Sequence, residues 1–239
     1  MLSFRENIFM DSFSFKETKS LRSPMPLESD VSSSKQVSGV EVRLSKVFIR
    51  DNKTKRFGPF PGLAKVYFLN IVASDISAEP IELNLNGFEK VDDSHTLAVD
   101  RTLFFWKKTT ETPKAPSQIH IMSSLIKSKK ALRDTAKIIA SAKEDPQFKN
   151  LITDMGKMMK SAAALNNVSN LVLSAAEIVG GLLGNVEDKP LLTRFQSFTD
   201  LAGNFDQLGK TDLPFGNKYA EVDYSIFIRD KARQEEADA

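Results

Sequence analysis

SAAALNNVSNLVLSAAEIVGGLLGNV (Ser161–Val186) carries a single charged residue, Glu177, in a chain where 27% of residues are charged. Val168, Leu171, Val172, Ala175, Ile178, Val179, Leu182 and Leu183 recur there at i, i+3, i+4 and i+7, which lines one face of a helix. Towards the N-terminus, Leu125, Leu132, Ile138, Ile139 and Ala142 predict a helix that stops before Pro146. Asp145-Pro146 reads as an N-cap followed by proline at the first helical position. The helix it opens would carry Phe148, Leu151, Ile152, Met155, Met158 and Met159 on one face, the methionines being adaptable packing groups for either a core or a partner surface. Gly180, Gly181 and Gly184 are placed to close the third helix. The expectation is a helical insert over 123–186 whose apolar stripe must be covered by the rest of the chain, a partner or lipid.

On both sides of this insert the period changes from helical to two. Val40, Val42 and Leu44 alternate, then the phase slips at Ser45 and resumes at Val47 and Ile49, which predicts a bulge. Val66 to Val72 is an almost unbroken apolar run, as expected of a buried central strand. Ile81 to Leu85, Phe88 to Val91, Thr96 to Val99, Leu103 to Lys107 and Gln118 to Met122 read as shorter strands. Asn185 to Asn217 reads as irregular, pinned by Leu191, Leu192, Phe195, Phe198 and Phe205. Ala220, Val222, Tyr224, Ile226 and Ile228 alternate in a long final strand. Val47-Phe-Ile-Arg-Asp51 and Ile226-Phe-Ile-Arg-Asp230 nearly match. Either this is chance similarity between strands, or the first and last strands lie close in one sheet and finish at the same end.

Residues 1–36 read as an arm. Phe4, Ile8, Phe9, Phe13 and Phe15 are apolar, but Ser20 to Lys35 is serine-rich with Pro24 and Pro26. A flexible tail is one reading of this composition; an aromatic arm that docks on the body or on a neighbouring subunit is the other, and we favour docking. Residues 231–239 form a charged tail. The fold expected is α+β: an antiparallel β-sandwich over 37–230, C2-like or jelly-roll-like, with the helical insert before its last strand. The immunoglobulin type is disfavoured, because the chain has no cysteine for its Cys–Trp–Cys pattern.

The absence of cysteine also removes disulfides, thiolate metal sites and a cysteine nucleophile. A net charge of +2 is too mild to imply nucleic acid without a concentrated basic footprint. Met1 to Met10 includes Arg5 and Glu6, so no secretory signal is expected there and any route outward would be non-classical. Leu2 does not fit N-myristoylation, and the acidic Gln234–Ala239 shows no lipidation signal.

No arrangement of chemistry-bearing residues points to an enzyme. The two histidines, His95 and His120, lack metal-ligand spacing, and His120, between Ile119 and Ile121, is expected to face solvent. Gly209-Lys210-Thr211 resembles the end of a P-loop but lacks the upstream glycine at the required spacing and a strand to deliver it. Asp51, Asp75, Asp92, Asp93, Asp100 and Asp230 sit near strand ends, where turn chemistry explains them better than Ca²⁺. Lys53 to Gly62 (KTKRFGPFPG) is a basic, turn-rich loop. Lys130, Arg133 and Lys137 are expected on one helical face, where they meet solvent, an acidic partner or anionic lipid. No aromatics are interleaved with them as a single-stranded nucleic acid would require.

These residues lead to a non-catalytic interaction or assembly module, with no cofactor, metal or nucleic acid. The residues expected to contact a partner or a membrane are Lys130, Arg133, Lys137, Met155, Met158, Met159, Phe4, Phe9 and Phe13. The partner is another protein or a second copy. The alternative is a membrane-active, toxin-like protein that inserts helices 125–184 into an anionic bilayer.

Overall fold

The chain is described from a computed structural model, which covers residues 2–4, 8–11, 37–55, 62–159, 165–187, 189–206 and 208–230. In chain order the strands are β1 (Ile8–Asp11), β2 (Val37–Ile49), β3 (Ala64–Ser74), β4 (Ile81–Val91), β5 (His95–Leu97), β6 (Arg101–Lys107) and β7 (Gln118–Ser128). The helices α1 (Thr135–Glu144), α2 (Pro146–Met158) and α3 (Leu165–Leu183) come next, followed by β8 (Leu192–Thr199), β9 (Gly209–Gly216) and β10 (Ala220–Asp230). The fold is α+β, with two mostly antiparallel sheets and three helices. The first sheet runs β1-β8-β7-β3-β4; the second runs β5-β2-β10-β9, with β6 also paired to β2.

Two hydrophobic cores lie on opposite faces of the first sheet. Val66, Phe68 and Val72 of β3 and Ile119, Ile121 and Leu125 of β7 join Val42, Leu44, Val222 and Ile226 of the second sheet. Tyr67, Leu69 and Ile71 of β3 and Met122 and Ile126 of β7 instead meet Ile138, Phe148, Met155, Val172 and Val179 of the helices. Burial on both faces explains why β3 reads as a continuous apolar run. Each such side chain contributes about 1.5–3 kcal/mol relative to exposure. On β10 every second residue faces the core, while Glu221, Asp223, Phe227 and Arg229 are part-exposed or exposed.

Several local expectations hold. Asp223 pairs with Lys46 and Tyr224 with Leu44, so Ser45 is the extra residue of the bulge. Asp145 caps α2 by accepting from the Gln147 and Phe148 amides, with Pro146 in the first turn. Strands β2 and β10 are neighbours, but they are antiparallel: Ile49 faces Ala220 and Val40 faces Ile228. The two matching pentapeptides therefore finish at opposite ends.

Other boundaries are corrected. The helical part begins at Thr135, not Ser123, because Ser123–Ser128 continues β7 and Leu125 is a strand residue. Strands β8 and β9 occupy much of the stretch expected to be irregular, so three strands follow the helices rather than one. Ile81 to Val91 is one strand rather than two. Helix α3 runs through Gly180 and Gly181 and ends at Leu183, where Gly184 takes a left-handed φ of 84°. Gly209 opens β9, and Lys210 and Thr211 pair with β10, so this stretch is a strand and not a phosphate loop.

Candidate interaction surfaces

The N-terminal arm reaches both layers. Strand β1 lies parallel to β8 at the edge of the first sheet, with Ile8 opposite Thr193 and Phe9 opposite Arg194. Ahead of it, Leu2 and Phe4 are buried in the helical core. The seat for Phe4 exists because α3 has no side chain at Gly180. A Cβ built there would stand 2.9 Å from Phe4 Cε2 and 3.1 Å from Leu2 Cδ2. Phe4 was expected to meet a partner; in this chain its ring is fully buried against the protein's own helix. Phe9 contributes backbone register in β1, and Phe13 lies outside the described residues.

The helical candidates divide in the same way. Met155 and Met159 are buried, Met158 is half-buried, and the Met159 carbonyl accepts from Gln118 Nε2 at 3.0 Å. Of the two readings of these methionines, core or partner surface, Met155 and Met159 take the first and help seat α2 on the first sheet. Lys130 and Arg133 belong to the connection between β7 and α1, and only Lys137 is helical, so the three do not form one helical face. Arg133 ties this connection down: its amide donates to Tyr67 Oη at 2.6 Å and its Nη1 to the Leu182 carbonyl at 2.5 Å. All three basic residues are exposed.

His120 is fully buried, contrary to the solvent-facing position expected of it. Its flanking isoleucines face the core shared by the two sheets, which turns His120 to the helical side, itself covered. The ring lies 2.8 Å from Ser197 Oγ and 3.1 Å from Gln118 Oε1, and it stacks against Phe195. Burial pushes its pKa down to about 4, opposed by the charge of Asp75.

A polar row crosses the opposite face of the first sheet. Asn70, Ser123 and Arg194 are successive cross-strand partners on β3, β7 and β8. Ser123 Oγ donates to Asn70 Oδ1 at 2.5 Å. The Arg194 guanidinium reaches the second sheet, donating to the Leu213 carbonyl at 2.6 Å and the Val222 carbonyl at 3.0 Å. It also donates to Gln196 Oε1 and lies 4.4 Å from the ring centroid of Tyr224. Burial pushes the Tyr224 hydroxyl up to about 12, against the pull of Arg194. The row is a buried tie between sheets.

An open cleft of about 750 Å³ lies beside the turn between β9 and β10. Its lining includes Lys53, Lys189 and Lys218 around Tyr219, with Leu191 and Phe215 as apolar walls. The Lys53 and Lys218 ammonium groups lie 4.3 and 4.9 Å from the Tyr219 ring centroid. Lys218, acting on the hydroxyl oxygen, is the main cause that holds Tyr219 below the usual phenol range, and Lys53 adds to it. Asn217 shapes the turn: its Oδ1 accepts from the Tyr219 and Ala220 amides, and its Nδ2 donates to the Leu191 carbonyl. The Arg50 and Asp51 amides both donate to the Tyr219 carbonyl, which fixes the turn to the end of β2. Of these lysines only Lys53 stands out in the sequence, within its basic loop. Lys189 and Lys218 lie far apart in sequence and meet only because β8 and the β9–β10 turn are brought together.

A smaller hollow of about 230 Å³ opens where β6, β2 and β10 run side by side, lined by Glu41, Phe105, Lys107, Phe227 and Arg229. Phe105 is 64% exposed there. Three of the strand-end aspartates hold neighbouring groups. Asp75 accepts from the Ser117 and Gln118 amides, Asp93 from the Asn52 amide, and Asp100 pairs with Arg43. Among the described residues no cluster of His, Asp or Glu is arranged to hold a metal. The chain matches no protein-family model and no curated protein sequence at a significant level.

Proposed function

We propose that the protein is a non-catalytic assembly module whose N-terminal arm completes the fold of a neighbouring copy. The observation that carries this reading is the double seat of the arm, with Phe4 buried in the helical core and β1 on the edge of the first sheet. Residues 12–36 connect β1 to β2, a stretch that spans on the order of 80 Å when extended. The same seat is therefore within reach of the arm of another copy. Exchange of an identical element costs little, because the contacts made between copies replace those made within one. We read the two sheets as a sandwich of jelly-roll or C2-like type, with the helices as an insertion between β7 and β8.

The test is a mixing experiment on two differently tagged full-length populations, run in high salt so that contacts between surface charges are screened. Co-purification that develops with time and concentration, and that disappears when Phe4 is replaced by aspartate, supports exchange. Absence of mixed species at every concentration removes it.

A membrane-active role is the second reading, favoured by the exposed Lys130, Arg133 and Lys137 beside the helical layer. The apolar stripes of α2 and α3 are packed on the first sheet, so insertion would first have to strip that sheet. Among the described residues no helix is long and apolar enough to cross a membrane. Dye release from anionic vesicles separates the readings: leakage would favour lipid, and an intact dye signal favours assembly.

A further inference from the structure

We propose that the lysine cleft at the β9–β10 turn binds the acidic tail of a second copy, Glu235-Glu236-Ala237-Asp238. This rests on the assembly reading in taking another copy as partner, but it uses a different surface from the arm. Charge complementarity is the first argument. The described lining of the cleft includes three lysines and no carboxylate. The described carboxylates nearby are engaged: Glu221 pairs with Arg50 and Lys46, Glu187 with Lys129, and Asp51 accepts from the Lys53 amide. Three carboxylates within four residues offer a matching charge at peptide spacing.

Chain geometry decides between the chain's own tail and a neighbour's. Residues 231–239 follow Asp230, at one end of β10, while the cleft is at the other end, beside Ala220. Eleven strand residues separate these ends by about 35 Å. Glu235 to Asp238 lie five to eight residues past Asp230, which at ~3.4 Å per residue reaches roughly 17–27 Å. The acidic group therefore falls short of its own cleft. Binding between copies joins one end of a molecule to the other end of the next, a head-to-tail contact that closes into a ring or runs on as a filament. The apolar walls from Leu191 and Phe215 suit Ala237 and the aliphatic stems of the glutamates.

The experiment is fluorescence anisotropy of a labelled peptide of residues 231–239. It is presented to full-length protein whose own tail carries Glu235→Lys, Glu236→Lys and Asp238→Lys, so that no tail competes. Saturable binding that weakens with salt is expected, since exposed ion pairs are screened. Lys53→Glu with Lys218→Glu should weaken it by roughly tenfold or more. A peptide with the three acidic residues reversed to lysine should then bind that variant better than the native peptide does. Thermal melting of the double variant close to that of the parent keeps a folding defect from posing as lost binding. No binding, binding indifferent to the lysine reversals, or inorganic phosphate binding in the cleft where the peptide does not, would each overturn the proposal. Because the readout does not depend on the arm, its failure is distinguishable from failure of arm exchange.

Discussion

The ring of Phe4 occupies the space left by the missing side chain of Gly180, so that a Cβ at that position would stand 2.9 Å from Phe4 Cε2. A glycine inside a helix costs about 1 kcal/mol relative to alanine. At this position the cost is offset by what the notch admits. Gly180→Ala is therefore expected to destabilise the wild type, because the ring must shift or leave. In a Phe4→Ala background the same change should cost less or stabilise, by at most about 1 kcal/mol, since helix propensity is then opposed only by the 3.1 Å approach to Leu2 Cδ2. Chemical denaturation of the four proteins checks this; stabilisation of equal size in both backgrounds would show that Phe4 does not sit there.

Arg194 is expected to be among the costliest single positions. Its guanidinium holds two carbonyls of the second sheet and Gln196 from inside the core. Hydrogen bonds to a charged group contribute about 1.5–3 kcal/mol each. Arg194→Met should cost roughly 3 kcal/mol or more, and Arg194→Lys should recover little, since an ammonium lacks the planar fork. Urea denaturation followed by fluorescence of Trp106, the only tryptophan and a buried one, reads the loss. A loss under about 1 kcal/mol would show that the sheets do not depend on this tie.

His120 gives the fold an acid dependence. Its folded pKa of about 4 lies below the ordinary 6.5, so between these values the unfolded chain holds the proton more firmly. Stability is complete above about pH 6.5 and falls as pH drops towards 4. The shift corresponds to roughly 3 kcal/mol. Melting temperature followed from pH 7 to pH 5 should decline, and His120→Gln should flatten that decline whatever its effect at pH 7. Parallel pH profiles for the two proteins would contradict a buried neutral imidazole.

The cap on α2 is a smaller and independent test. Asp145 accepts from two amides of the first turn. Asp145→Ala should cost about 1 kcal/mol and lower the melting temperature by about 2–4 °C for a chain of this size. An unchanged melting temperature would mean that α2 is held by packing alone.

Where local chemistry sets the outcome, the chain was legible. The bulge at Ser45, the cap at Asp145 and the alternation of β10 need only neighbours in sequence. The sequence misleads where a strand covered on both faces mixes polar residues with apolar ones, unlike the nearly unbroken apolar run of β3. Ser123 to Ser128 at the end of β7 and Leu192 to Thr199 of β8 pack against the second sheet on one side and the helices on the other, so neither shows a two-residue period of polarity. Leu125 therefore fits a helical stripe as well as a strand. His120 misled for the same reason, since alternation away from two isoleucines implies solvent only when the other face is bare. The basic cleft had no local signal, because Lys53, Lys189 and Lys218 are gathered by the fold.

Light scattering on size-fractionated full-length protein in high salt, which screens the contact between lysine cleft and acidic tail, with and without Gly180→Leu, decides whether copies assemble through the arm. We expect the wild type to show masses above the 26.6 kDa of one chain that grow with concentration, and Gly180→Leu, which shuts the seat of Phe4, to remain at one chain. A wild type that stays at 26.6 kDa at every concentration, or a Gly180→Leu protein that associates as the wild type does, would contradict assembly through the arm.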